Sequence, residues 1–296
     1  MKGSITLLEA LEGKLSQLKQ PAITDYQLGV MVFNLYRTGR YKEKRLNTKL
    51  KIPSYRAYTG SLRDLVDTGI LKPIKTIPHT YFIFGKETFR EEELICSVDP
   101  FAYISHLSAM EYHGFTDRIP RVLFYSSPAQ KKWREFAIEK MRADFQNESD
   151  IDLPKLSLKK IEKVKNKVVN RYSSVHLGAY IRAGSTNFRV SSIGRTFLDM
   201  LRKPELCGGM YHVINVYEDF AELNLGRIVD EVDANGTQIE KVRAGYILEE
   251  ICGLTHKTIN DWIQFVQRGG SRKLDPNEDY APEFSERWCI SINIEI

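Results

Sequence analysis

The sequence predicts an α+β protein. An N-terminal winged helix-turn-helix domain over residues 1–90 is followed by a larger, helix-rich mixed α/β C-terminal domain over residues 91–296. Three observations predict it. Apolar residues recur at helical steps through most of the chain, with two short runs of strand character near residues 70–84. Charge is uneven: residues 1–90 hold 16 Lys+Arg and 7 Asp+Glu (+9), and the other 206 hold 27 and 31 (−4). The stretch KIPSYRAYTGSLRDLVDTG, residues 51–69, has the ends, apolar stripe and basic outer face that reading a DNA major groove requires.

In chain order, Leu7, Leu8, Leu11, Leu15 and Leu18 place a first helix within residues 5–18. A second opens at Thr24, where Gln27 three residues on completes a capping box, and stops near Gly39. Residues 40–52, RYKEKRLNTKLKI, read as a short, very basic helix anchored by Leu46 and Leu50. In the next helix Ser54 is placed to cap the amino end, and Gly69 to end it in a left-handed conformation. Tyr58, Leu62, Leu65 and Val66 form its inner stripe, opposite Tyr55, Arg56, Thr59 and Arg63. Taken alone, this fits an ordinary surface helix equally well. Its neighbours decide the reading. Residues 70–74 and 81–84 look like strands joined by a turn at Ile77-Pro78-His79. From Arg37 to Lys75 there are 11 basic and 3 acidic side chains, so turn, reading helix and wing share one positive surface.

On that reading Lys49, Lys51, Arg56 and Lys72 contact mainly phosphates. Arg56, Thr59 and Arg63 are candidates for base edges, with Ser54 at the helix start and Tyr55 able to serve either role. Lys75 and His79 on the wing reach towards an adjacent groove. A pair of chains on an inverted repeat would set two reading helices roughly 34 Å apart.

The acidic EEEL at residues 91–94 and Asp99-Pro100 mark the start of the second domain. A short helix follows from Ser105 to Gly114. His106 and His113 stand two turns apart on it, too far to share a metal, and read as hydrogen-bonded structural histidines. Residues 121–126 read as a buried strand, and Trp133, Phe136, Ala137, Lys140, Met141 and Asp144 recur at helical spacing. Residues 155–171 hold seven basic side chains against Glu162. That run can face DNA, RNA or an acidic partner, and is more simply a solvated helix face. Residues 177–182 and 188–190 read as strands flanking a turn at Gly184-Ser185. From Ser192 the pattern is helical almost to the end. The closing ERWCISINIEI alternates as a half-buried strand with Trp288, Ile290, Ile292 and Ile294 on one side.

An apolar fraction of 42% and a charged fraction of 27% are ordinary for a soluble globular chain. No window approaches the roughly 18 apolar residues of a membrane span. Acids interrupt the apolar pattern of MKGSITLLEALEGKL, and no small-residue cleavage site follows, so it is not a signal peptide. Cys96, Cys207, Cys252 and Cys289 lie far apart, without metal-ligand spacing, and read as reduced thiols of a cytoplasmic protein. A nuclease delivered by a winged helix is the main alternative. It needs paired carboxylates near a lysine, but the single Glu-x-Lys is Glu12-Gly13-Lys14, outside the body. No phosphate loop, nucleophile elbow or His-Glu-x-x-His pair occurs, so no catalytic residue, metal or cofactor is expected. A protein-binding module whose basic end meets an acidic partner is a second alternative.

The segments SHLSAMEYHGFTDRIP, SSIGRTFLDMLRKPELCGG, VRAGYILEE and GGSRKLDP…RWCISINI resemble the signature blocks of the AbiEi family. These are the antitoxin and transcriptional-regulator halves of bacterial type IV (abortive infection) toxin–antitoxin systems. The resemblance runs from about residue 20 to the carboxyl end, and RTFLDML…PELCGG is its most specific part. It implies an amino-terminal winged helix that represses its own operon by binding inverted repeats in double-stranded DNA, where two chains can bind as a pair. It also implies a C-terminal domain that counteracts a co-transcribed nucleotidyltransferase toxin, and no active site. Some block residues have plainer explanations. Arg195 and Asp199 stand four apart as an intrahelical pair, Gly208-Gly209 suits a helix break, and Arg272 and Lys273 either meet a partner or solvate a loop.

Overall fold

The computed structural model describes residues 3–148, 150–175, 179–184, 188–267 and 272–294. It is a mixed α+β chain. Strand β1 (Ser4–Ile5) leads into helix α1 (Leu7–Gln17), which starts at a reciprocal capping box between Thr6 and Glu9. Strand β2 (Ala22–Thr24) leads into α2 (Asp25–Thr38), opened by the Thr24–Gln27 box and closed by Gly39 at φ 62°.

Residues 40–52 are not the basic helix the sequence suggests. They form a hairpin, β3 (Arg40–Tyr41) and β4 (Lys44–Leu46), turning at Lys42 with φ 52°. The left-handed cap at Gly39 ends helical geometry, and β4 then pairs in parallel with β1. Leu46 is buried, but Leu50, the other proposed anchor, is 64% exposed. Helix α3 (Tyr55–Asp67) follows, with Ser54 Oγ accepting from the Ala57 N–H at 3.2 Å. Strands β5 (Leu71–Pro73) and β6 (Thr80–Ile83) complete an antiparallel sheet in the order β2-β6-β5. Its Leu71 and Ile83 face joins the core built on α1, α2 and α3.

Beyond residue 90 come α4 (Glu91–Val98), β7 (Tyr103–Ile104), α5 (His106–His113), β8 (Val122–Pro128) and α6 (Gln130–Asp144). The second basic run is also strand rather than helix: β9 (Lys163–Val164) and β10 (Lys167–Ser174) turn at Lys165, φ 50°. Val168 and Val169 favour extended backbone, and β10 finds a seven-residue parallel partner in β8. With β11 (Tyr180–Arg182) and β12 (Arg189–Ser191) they make a six-stranded sheet, β11-β12-β7-β8-β10-β9. The expected strand start at Leu177 and the Ser185 side of the turn lie outside the described residues. So do Gly269, Gly270 and Ser271 of the GGSRKLDP block.

Core side chains cross residue 90. Trp133, Ala137 and Phe145 of α6 and its end, and Leu153 and Leu156 after it, pack with α1, α2 and α3. Tyr26 of α2 donates to Asp144 of α6 at 2.5 Å. Asp99 is a buried junction: it accepts from Trp133 Nε1 at 3.1 Å, Ser127 Oγ at 2.6 Å and the Phe101 N–H at 3.0 Å.

The rear is helical: α7 (Ile193–Arg202), α8 (Met210–Asn235), α9 (Gln238–Tyr246) and α10 (Lys257–Asp261), with a π-helical turn, Ile247–Ile251, continuing α9. Gly208 and Gly209 both hold φ above 90° and break the chain between α7 and α8. The closing segment is mostly turn rather than one strand. Only β14 (Ile290–Ser291) pairs, with β13 (Phe284–Ser285). Alternation fails there because Ser291 is as fully buried as Ile290.

Trp288 fills the space beside Gly245 in α9, and a Cβ there would collide with its ring. That ring is fully buried and fixed by Nε1 donating to Glu249 at 2.9 Å. Gly245→Ala is therefore expected to destabilise the chain by about 1–3 kcal/mol, from overpacking. Urea denaturation checks it, and an unchanged midpoint would mean that the ring yields freely.

Candidate nucleic-acid interface

Helix α3 turns Tyr58, Ser61 and Leu65 inward, which leaves Tyr55, Arg56 and Arg63 on its solvent side. Arg56, Thr59 and Arg63 stand at i, i+3 and i+7 and so share one face. Arg56 is exposed and, among the described residues, has no ion-pair partner. Arg63 is 75% exposed and lies 3.8 Å from Asp64, itself 50% exposed, a pairing of little energetic weight. Thr59 is half-buried, and its hydroxyl donates within its own helix, to Tyr55 O at 3.1 Å and Arg56 O at 3.2 Å. Only acceptor capacity is left for a base edge.

Lys49 and Lys51 are exposed just before the helix, and so is Ser54 at its cap. Leu50 and Ile52 lie between them at 64% and 41% exposure, apolar side chains left largely open to solvent. The sequence reading counted residues 40–52 into the positive surface but singled out none of Arg40, Lys42, Lys44 and Arg45, all exposed on the β3–β4 hairpin. The cationic run after Gly39 was the available signal.

Lys72, Lys75 and His79 lie differently. Lys72 pairs with Phe82 across β5 and β6, so both point to the sheet face opposite Leu71 and Ile83, away from α3. Lys75 lies beyond them on the connecting turn, exposed. His79, at φ 58°, latches that turn to α2: its Nδ1 is 2.7 Å from Asp25 Oδ2, and the Asp25 N–H donates to His79 O at 3.1 Å. His79, Asp25 and Tyr55 line a groove of about 300 Å³ with Lys155 and Lys159. The second basic run thus reaches the amino end of α3, which charge counting alone did not reveal. Burial pushes the Lys159 ammonium below its ordinary pKa, and Asp25 partly restores it.

The blocks that carry the family resemblance converge elsewhere, in the rear core. Arg195, 1% exposed, donates to Asp199 at 2.9 Å and reaches Glu231 and Ser174, each at 3.5 Å. Burial works against its charge, but Asp199, Tyr103 and Glu231 more than offset that and hold its pKa above the ordinary value. Arg202 bonds Glu240 at 2.8 Å, and Arg243 bonds Lys273 O at 3.0 Å. Arg272 donates to Phe265 O at 2.7 Å and Lys273 to Glu278 O at 2.6 Å, so both are engaged within the chain. Among the described residues, no group of three or more His, Cys, Asp or Glu is arranged to hold a metal ion. No described helix is long and apolar enough to cross a membrane.

Both histidines of α5 are hydrogen-bonded within the fold. His113 Nε2 lies 2.8 Å from Ser191 O, and His106 Nδ1 lies 2.8 Å from Ser105 Oγ, which accepts from Ser126 Oγ. This Ser–Ser–His chain is fully buried. Burial, aided by nearby Arg195, drops the His106 pKa from 6.5 to about 3. Folding therefore favours the neutral ring, while the unfolded chain takes up the proton below pH 6.5. This contribution is complete above pH 6.5 and is lost as pH falls towards about 3. Its expected slope is about 1.4 kcal/mol per pH unit. Urea unfolding across that range checks it against His106→Gln, and equal slopes in the two proteins would refute it.

No family model matches the chain, and no curated protein matches it. Among solved structures, the crystal structure of RV2827C protein from Mycobacterium tuberculosis is similar, with TM-score 0.48 at 11% identity. The match covers 95% of this chain and 89% of that chain.

Proposed function

We propose that this chain is a DNA-binding transcriptional repressor and antitoxin of the AbiEi kind, acting in a bacterial cytoplasm beside a nucleotidyltransferase toxin. Its front third serves as a winged helix. The observation that carries the reading is the exposed α3 face, where Arg56 and Arg63 stand free of strong internal partners among exposed cations of the flanking segments. The sheet order β2-β6-β5 behind three helices supports it, with the β3–β4 hairpin in place of a plain turn. Phosphate contacts from Lys49, Lys51 and the hairpin set register, and Arg56 and Arg63 reach base edges. The rear braces this unit through α6 and carries the antitoxin task, without catalysis.

The test is fluorescence anisotropy with the DNA upstream of the chain's own reading frame, against a scrambled duplex, at rising salt and with Mg²⁺. Preferential, salt-sensitive binding that leaves the DNA intact is expected. Equal affinity for both duplexes would defeat the repressor reading, and Mg²⁺-dependent cleavage would favour a nuclease. Growth rescue on co-expression with a neighbouring nucleotidyltransferase tests the antitoxin role.

A further inference from the structure

One face of the sheet β2-β6-β5, with Ile23, Leu71 and Ile83, packs on α1, α2 and α3; the opposite face carries Ala22, Lys72 and Phe82. That second face is covered by α4 next to β2 and left open beside β5, where the β9–β10 hairpin stands off. The gap is a cleft of about 720 Å³, within the range of small-molecule sites. Its floor is Ile74, Phe82, Phe89, Leu94 and Val164, with the Phe82 and Phe89 rings 5.5 Å apart. Phe84, on the rim, is 73% exposed.

Charge at the mouth selects the occupant. Lys72 and Lys75 come from the β5 side and Lys163 from β9. Among the described residues none of the three has an ion-pair partner. Lys165 is already engaged, over the Phe89 ring at 4.3 Å, 3.6 Å from Glu91 and bonded to Phe89 O. Glu87 is the one carboxylate in the lining, and it accepts from the Gly85 N–H at 3.1 Å. Three ammonium groups without ion-pair partners among the described residues, around a floor where the Phe82 and Phe89 rings are half-buried, suit a ligand with an apolar body and an anionic head.

We propose that this cleft binds a small amphipathic anion, its hydrocarbon body against Phe82, Phe89 and Val164 and its carboxylate among Lys72, Lys75 and Lys163. The site lies on the sheet face turned away from α3 and stands whether or not α3 binds DNA. Decanoate is the probe, titrated calorimetrically into the full chain, with acetate and decyltrimethylammonium as controls. One equivalent of decanoate is expected to bind, and neither control. Lys72→Gln/Lys163→Gln, both exposed positions, should weaken decanoate at least about tenfold, or 1.4 kcal/mol. Thr76→Trp, which narrows the cleft from an exposed turn, should weaken it with the thermal midpoint unchanged. Absence of decanoate binding, equal binding of the cationic control, or affinity indifferent to both variants would each overturn the assignment.

Discussion

Arg195→Met is expected to lower the stability of the chain by about 3–5 kcal/mol, the scale for removing one partner of a buried ion pair. The guanidinium is 1% exposed and bridges three elements: Asp199 on its own helix α7, Glu231 on α8 and Ser174 at the end of β10. Methionine fills most of the volume but leaves the buried Asp199 carboxylate without its hydrogen-bonded cation. Arg202 lies 3.9 Å from Asp199, too far for a hydrogen bond, and already bonds Glu240 at 2.8 Å. The double variant Arg195→Met/Asp199→Leu removes both charges and should recover part of the loss, so the two changes will not add. Urea unfolding followed by circular dichroism gives the cycle. Additive losses in the double variant, or a single-variant loss below about 1 kcal/mol, would show that these groups do not act as a unit.

That pair was legible in the sequence because it is local. Arg195 and Asp199 are four apart, as Thr24 and Gln27 are three apart, and a helix brings such residues together whatever surrounds it. The Ser54 cap, the left-handed Gly69, the helix stops at Gly39 and Gly114, and the inner stripe of α3 were legible for the same reason. What distant pairing decides was not. Residues 40–46 are a hairpin because β4 docks on Ser4–Ile5, and residues 167–174 are a strand because β8 receives them. A run of lysines carries no apolar period that could announce either outcome. The candidate interface divides in the same way. Charge counting identified the cationic front, but strand alternation carried Lys72 to the far face, and a strap after α6 brought Lys155 and Lys159 beside Tyr55. The resemblance blocks were visible as residue patterns, whereas their meeting place was not. Gly245 against Trp288 and Arg243 on the Lys273 carbonyl join segments far apart in sequence.

Because Arg56 and Lys51 differ in what they can touch, their removal should have different signatures. On the DNA-binding reading, Arg56→Ala is expected to cost about 1–3 kcal/mol of operator affinity and to narrow the gap between operator and scrambled duplex, since it removes a base-edge contact. Lys49→Gln/Lys51→Gln should weaken both duplexes alike. It should also flatten the dependence of log affinity on log salt by about 1.8, from about 0.9 for each lost phosphate contact. All three positions are exposed, so thermal midpoints should stay near that of the parent chain and separate lost contacts from lost folding. Lys42→Gln/Lys44→Gln on the hairpin should behave like the second variant if β3 and β4 lie along the backbone, extending the footprint beyond α3. Anisotropy titrations at several salt concentrations measure both quantities together. Should Arg56→Ala leave the operator preference intact while only the salt slope moves, α3 would be a phosphate clamp, and the base reading would have to come from another element.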